Sequence, residues 1–288
     1  MAHNAISRVV CLVDNTAPRG SRLWGEHGLA FLVETEVGCV LFDTGQSGTV
    51  LLHNLDTLEI DPGTIDALAI SHAHYDHTGG LAALLKRARP GLALYAHPDL
   101  FRERFSRRQG GPIARQIGVP LARGTLAART KLHLSAEPQQ MLPGISTTGE
   151  IASRPEPEGR SAHHVVRTET GWASDPYRDD MSLVLAVDPG LVLLCGCCHA
   201  GLLNTLSHVA CTFERPVTAI AGGTHLVSAD VHHLERVRQV MVEMESLQRL
   251  YLNHCSGEEA LYSLRLTLGP TVVRSCPAGT ELDEEVLR

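Results

Sequence analysis

Aromatic residues make up only 4% of this 288-residue chain, so its core has to rest on Leu, Val, Ile and Ala. Basic excess is missing as well. Lys and Arg number 25 against 32 Asp and Glu, a net charge of −7, whereas a nucleic-acid binder normally carries a basic face. No apolar run approaches the ~20 residues needed to cross a bilayer. The run Val9-Val10-Cys11-Leu12-Val13 is too short for the core of a leader and has no cleavage pattern after it, so a cytoplasmic location is expected. There is no repeat at a fixed period and no low-complexity segment. The eight cysteines lack the second pair at matching spacing that a zinc ribbon requires, and in a cytosolic enzyme of this size reduced, buried thiols are the default. What remains is ordinary for a globular protein: 43% hydrophobic residues and a mean hydropathy near zero. The length suits one large α/β domain or two small ones, and a single domain over residues 1–288 is expected.

The chemistry is concentrated in Ser71-His72-Ala73-His74-Tyr75-Asp76-His77-Thr78-Gly79-Gly80, with three histidines and an aspartate inside six residues. The apolar run 67–70 before it reads as a buried strand, and the glycine pair followed by residues 81–85 reads as a turn opening into a helix. The loop then lies at the C-terminal end of a strand, where α/β proteins usually place their chemistry. Imidazole and carboxylate suit Zn²⁺ and similar borderline ions. His72 and His74 can converge on one ion, while Asp76 and His77, beyond the bend, can face a second. This decapeptide resembles the H-x-H-x-D-H signature of the metallo-β-lactamase superfamily, in the strand–loop–helix setting that such a match requires.

Along the chain, strands are expected at 8–13, 28–34 and 38–42, the last two as a hairpin, then a helix at 49–58. A helix near 81–89 stops at Pro90-Gly91, and residues 92–96 form the next strand. Residues 99–180 change character: arginines at 102, 104, 107 and 108 precede Gly110-Gly111-Pro112, and a Pro-, Gly- and Ser-rich stretch follows. This span is expected to be an insertion that lids or walls the site, with the arginines on a solvated helix face. Strands resume at 182–187, 191–195, 217–221 and 250–252. An amphipathic helix covers 229–244.

Other residues gather around the loop. Asp43, closing Leu41-Phe42-Asp43, resembles the superfamily's first motif, in which a carboxylate orients a metal-bound histidine. His199 and His254 each follow an expected strand that could carry them to the loop. Together these suggest His72, His74 and His199 on one ion, with Asp76, His77 and His254 on the other. The hydrolytic members of the superfamily commonly place Gly-Asp where this chain has Gly196-Cys197-Cys198-His199. Either a thiolate or His199 occupies the bridging neighbourhood, or the second ion is held more weakly. Cys195 and Cys198 read as inert buried thiols. Asp76, Asp43 and His225 are the candidate catalytic residues, and Glu26, His225 and Cys197 the candidate substrate contacts, with either Glu26 or its neighbour His27 able to stand at the rim. His163-His164 and His232-His233 are expected on solvated surfaces.

Longer stretches, among them Glu26-His27-Gly28-Leu29, Thr148-Gly149-Glu150-Ile151, Gly196-Cys197-Cys198-His199-Ala200-Gly201 and Gly222-Gly223-Thr224-His225-Leu226, resemble one branch of the superfamily. That branch comprises 7,8-dihydropterin-6-methyl-4-(β-D-ribofuranosyl)-aminobenzene-5′-phosphate synthases and their bacterial relatives. The resemblance implies an αββα sandwich of the α/β class, with metals at one edge. It implies an enzyme using one or two ions, zinc foremost and Mn²⁺ or Fe²⁺ as alternatives, on a small phosphorylated or pterin-like substrate. Hydrolysis and group transfer both stay open. So do a lactonase or thioesterase reading and a metal-containing ligand sensor. Thr224 stands where the branch is expected to carry a bulky aromatic. The expected partner is a small molecule rather than nucleic acid or membrane, and a homo-oligomer is left open.

Overall fold

The computed structural model describes residues 6–108 and 111–287. Gly110, named with Gly111 and Pro112 above, lies outside them. Two sheets stack face to face. The first, in spatial order, comprises Ile6–Val13, Ala30–Thr35, Gly38–Phe42, Ala67–Ala69, Leu92–Ala96 and Thr130–Leu134. The second runs Val273–Ser275, Arg249–Leu252, Val217–Gly222, Leu191–Cys195, Ser182–Ala186, Ile145–Thr147 and Gln140–Leu142. Each sheet has an antiparallel portion and a parallel one, and helices cover both outer faces, giving the expected αββα sandwich.

Strict alternation sorts the strands' side chains. Phe31, Val33, Val40 and Phe42 of the first sheet meet Leu183, Leu185, Val192 and Leu194 of the second in the inter-sheet core. Their neighbours Leu32, Leu41 and Leu68 point outward and pack with Leu51, Leu55, Leu81 and Leu84 from the helices Thr49–Thr57 and Leu81–Arg87. On the other side Leu193, Ile220 and Leu250 meet Leu206, Val237, Met241 and Leu264. Strands buried on both faces read as continuous apolar runs, which is why they were legible. Each such side chain contributes about 1.5–3 kcal/mol on burial.

The 99–180 stretch divides. Thr130–Leu134 completes the first sheet and Gln140–Leu142 with Ile145–Thr147 completes the second, so these belong to the framework. The part standing apart is a four-stranded sheet, in order Gly171–Ser174, His164–Thr168, Arg104–Arg107 and Ile113–Gln116. The arginines therefore do not lie on a helix. Arg104 is fully buried on a strand, donating from Nε to Asp175 at 2.9 Å and from Nη2 to Asp179 at 2.6 Å. No helix among the described residues is long and apolar enough to cross a membrane.

Candidate metal centre

Five strand ends converge at one rim. Gly38–Phe42 delivers Asp43, Ala67–Ala69 the loop 71–77, Leu191–Cys195 Cys197 and His199, Val217–Gly222 His225, and Arg249–Leu252 His254. Close backbone approach is built in. A Cβ on Gly196 would lie 2.3 Å from Ser71 Oγ, and one on Gly79 1.8 Å from the Gln46 carbonyl oxygen. Of the seven non-glycine residues with positive φ among those described, Asp43, Tyr177, Cys198, His225 and His254 are at this rim. Backbone strain is thus concentrated where the polar side chains meet.

The hydrogen bonds determine which way the imidazoles face. His77 Nδ1 lies 2.7 Å from Asp43 Oδ2, and a carboxylate only accepts, so the ring donates there. Ser71 Oγ gives its proton to the same oxygen at 2.7 Å and so accepts from His72 Nδ1 at 2.9 Å. His199 Nδ1 donates to the Gly159 carbonyl at 2.7 Å. His254 Nδ1 donates to Asn15 Oδ1 at 3.1 Å, the Asn15 amide being spent on the His254 carbonyl. In each neutral ring the proton is at Nδ1, leaving Nε2 as a bare lone pair. These lone pairs turn toward one another. His77 and His254 have their Nε2 atoms 3.3 Å apart, and the buried His199 Nε2 has no hydrogen-bond partner.

Three donor groups emerge, each with its ligand atoms within 4.8 Å of one another: His72, Cys197 and His199; His77, Cys197 and His254; His27, Asp76 and His254. Asp76 Oδ2 is also 3.7 Å from His77 Nε2 and 3.4 Å from His254 Nε2, so Asp76, His77 and His254 meet as the sequence suggested. His74 stands outside all three groups. Its Nδ1 is nonetheless 3.0 Å from His72 Nε2, near the about 3.3 Å between two nitrogens on one tetrahedral zinc, and its buried Nε2 has no partner. Imidazoles, a carboxylate and a thiol, with imidazole nitrogens facing each other, form a donor set suited to borderline divalent ions.

Charge follows the same division. Burial holds His72, His74 and His199 well below the ordinary imidazole pKa, reinforced for His72 and His199 by the neighbouring rings. Burial also opposes charge on His77, but Asp43 and Asp76 outweigh it and its pKa is raised. Burial would favour the neutral acid at Asp76, yet His77, His254 and His27 keep its carboxyl well below the usual range. This end of the cluster favours positive charge, proton or metal ion alike.

A cleft of about 220 Å³ opens over the cluster, lined in part by His27, Tyr75, Arg115, His164, His225 and Cys255. Of the two rim candidates, Glu26 accepts from the Gln46 and Ser47 amides, both at 3.0 Å, and His27 takes the rim position, 3.2 Å from Asp76. His225 does line the cleft. Its ring is 4.5 Å from that of His199, its Nδ1 has no partner, and burial brings its pKa down to about 4. Asp43 lies behind His77 and acts by positioning it.

His164 departs from expectation. Rather than facing solvent, it hydrogen-bonds Tyr177 Oη at 2.8 Å and sits 4.9 Å, ring to ring, from His74. Tyr177, which sequence reasoning passed over, stacks on His199 at 4.2 Å. Arg115 was missed too, and its Nη2 donates to Tyr75 Oη at 2.8 Å at the mouth of the cleft. Nothing in local spacing marks these three, because the four-stranded sheet and the loop after it carry them in.

A profile of the metallo-beta-lactamase superfamily matches residues 23–191. The 7,8-dihydropterin-6-methyl-4-(beta-D-ribofuranosyl)-aminobenzene-5′-phosphate synthase of Methanocaldococcus jannaschii is 28% identical over 261 residues, 88% of each chain. An uncharacterised protein of the same organism is 27% identical over 255 residues, 88% of this chain and 92% of its own. Among solved structures, Tm1679, a metal-dependent hydrolase of the beta-lactamase superfamily, superposes with a TM-score of 0.80 at 25% identity, covering 96% of this chain and 98% of that one.

Proposed function

The chain belongs to the metallo-beta-lactamase superfamily and is an enzyme of that fold; from this premise we propose that it is a two-ion metalloenzyme acting on a small phosphorylated or pterin-like compound. The observation that carries the reading is the convergence of four Nδ1-tethered histidines, 72, 77, 199 and 254, on a single buried spot with their Nε2 lone pairs bare. His72 and His199, with His74 beside them, would hold one ion, and Asp76, His77 and His254 the other. Zinc fits the donor set best, with Mn²⁺ or Fe²⁺ as alternatives. When bound, such ions supply Lewis acidity, polarising a phosphoryl, pyrophosphate or ester oxygen and acidifying a water.

The chain's own residues do the rest. Asp43, through Ser71 and His77, locks the tautomers that present Nε2 inward. His225, neutral at pH 7 because burial depresses its pKa, offers a partnerless Nδ1 to a substrate oxygen. Arg115 presents a guanidinium at the mouth, a geometry matched to an anionic group, and Tyr75 holds it there. Tyr177 and the four-stranded sheet wall one side against water. The cleft volume and the acidic net charge support a small-molecule partner over nucleic acid, and we take the compartment to be the cytoplasm. Likeness to the synthase supports a pterin-type substrate, and likeness to Tm1679 supports hydrolysis.

Metal analysis of the purified protein, joined to turnover assays on phosphoesters, lactones and pterin-type pyrophosphates, tests this directly. His72→Ala and His254→Ala should each lose metal content and at least a hundredfold in turnover of a phosphorylated substrate. Variants retaining full metal content and full turnover would overturn the assignment. Turnover of uncharged lactones with no competition by phosphate would replace it with an ester hydrolase, and tight binding without turnover with a sensor.

A further inference from the structure

Cys197 sits differently from the five cysteines of the apolar clusters, and Cys255 is its neighbour at the cleft. Cys11 and Cys276 pack into the inter-sheet core, Cys39 under the helices of the first sheet, and Cys195 and Cys198 under those of the second. Cys197 is equally buried, at 3% exposure, yet it belongs to none of these apolar clusters. The left-handed backbone at Cys198, φ 55°, lets the two neighbours part, so that Cys198 enters the core while Cys197 stays at the rim. There its Sγ lies 3.2 Å from His77 Nε2. It is the one residue common to the His72–His199 and His77–His254 donor groups, within 4.8 Å of every ligand atom in both.

Proton accounting shows what this position demands. The neutral rings of His72, His199 and His254 present Nε2 atoms that accept but do not donate, and a thiol has a single proton to give. As a thiol, Cys197 has one proton for His77 Nε2, 3.2 Å away, and the buried His199 Nε2 is left with no partner. As a thiolate between two cations, it would leave the Nε2 atoms of His199 and of the other three rings each facing a cation.

Building on the two-ion reading above, we infer that Cys197 Sγ is the shared ligand of the centre, bound to both ions at once. Ions in two-metal sites sit about 3.5–4 Å apart, and a sulfur with two metal bonds of about 2.3 Å spans that separation. The tethered rings complete each side: His72 and His199 on one, His77 and His254 on the other. Asp76 is then a terminal ligand of the second ion, held between His254 and His27 at the mouth. A bridging thiolate makes the site softer than one bridged by oxygen, so it selects zinc, cobalt or ferrous iron over magnesium or calcium.

Titration of the metal-free wild-type protein with Co²⁺ tests this without any variant. The expected result is uptake of two equivalents, with a thiolate-to-cobalt charge-transfer band in the near ultraviolet that grows through the first equivalent and changes again through the second. Cys197→Ala should lose the band and bind one of the two ions at least tenfold more weakly. Cys197→Asp, which restores a ligand able to bridge, should recover two-ion uptake without the band. Two equivalents taken up with no charge-transfer band would overturn the inference while leaving the two-ion reading intact. A band complete at one equivalent and unaltered by the second would also overturn it, making the sulfur terminal. Failure to take up cobalt at all would sink both, so the two failures are distinguishable.

Discussion

Two buried polar clusters lie side by side in this protein and keep opposite accounts. Around Arg104 every charge is matched: its Nε and Nη2 reach Asp175 and Asp179, while Nη1 donates to the carbonyls of Asp99 and Arg102 at 3.0 and 3.2 Å. The side chains of the Arg104–Asp175 pair are 1% and 0% exposed. Around Cys197 the burial is similar, but lone pairs face lone pairs and His74 and His199 have no partner at Nε2. A satisfied cluster is finished and holds the wall in place. An unsatisfied one of equal burial gains from something added, and its donor set suits a cation.

That contrast is most sharply tested by unfolding. Arg104→Ala strands two buried carboxylates and should cost about 3–5 kcal/mol in urea unfolding, with or without metal. His199→Ala should cost only about 1–2 kcal/mol in the metal-free protein and considerably more in the loaded one. Equal penalties for both variants in metal-free protein would erase the distinction drawn here. Next in size is Asp43→Asn. Its amide would offer a donor to His77 Nδ1, disfavouring the inward lone pair, and should lower metal affinity about 10–100-fold in a chelator competition while the fold persists.

The third prediction concerns pH. Burial raises Asp180 to about 6, even though it accepts from the Ala200 amide at 2.9 Å. Its folded pKa lies above the unfolded value near ~3.9. The resulting stability is therefore fully present below about pH 4 and is lost as pH rises through about 6, a cost of at most about 3 kcal/mol. Asp180→Asn should leave metal-free stability unchanged near pH 4 and raise it above pH 6. The urea midpoint at the two pH values reads this out, and a variant whose pH profile parallels that of wild type would count against it.

Much of this was written locally in the chain. The apolar runs marked the strands, and the loop after residue 70 declared its ligands because three imidazoles and a carboxylate are packed into six positions. His199 and His254 were readable because each follows a strand whose direction aims it at the same rim. Arg104 was misread, since a charge run looks the same whether its members face water or, as here, one of them faces two buried aspartates. His164 and Tyr177 were illegible for a related reason: their nearness to His74 and His199 depends on the four-stranded sheet that Arg104 pins down. Between Glu26 and His27 the sequence could not choose, and the choice fell to tertiary contacts: the Glu26 carboxylate is consumed by the Gln46 and Ser47 amides and leaves the rim to His27.

Sequence by itself determined the class of fold and the kind of chemistry, since periodicity and residue type are properties of short stretches. Which nitrogen of each ring faces inward, and that Cys197 stands between two pairs of histidines, was decided by tertiary structure alone. Those facts depend on hydrogen-bond partners tens to hundreds of residues away, such as Asp43 for His77 and Asn15 for His254, and no local pattern specifies which distant acceptor a ring will find.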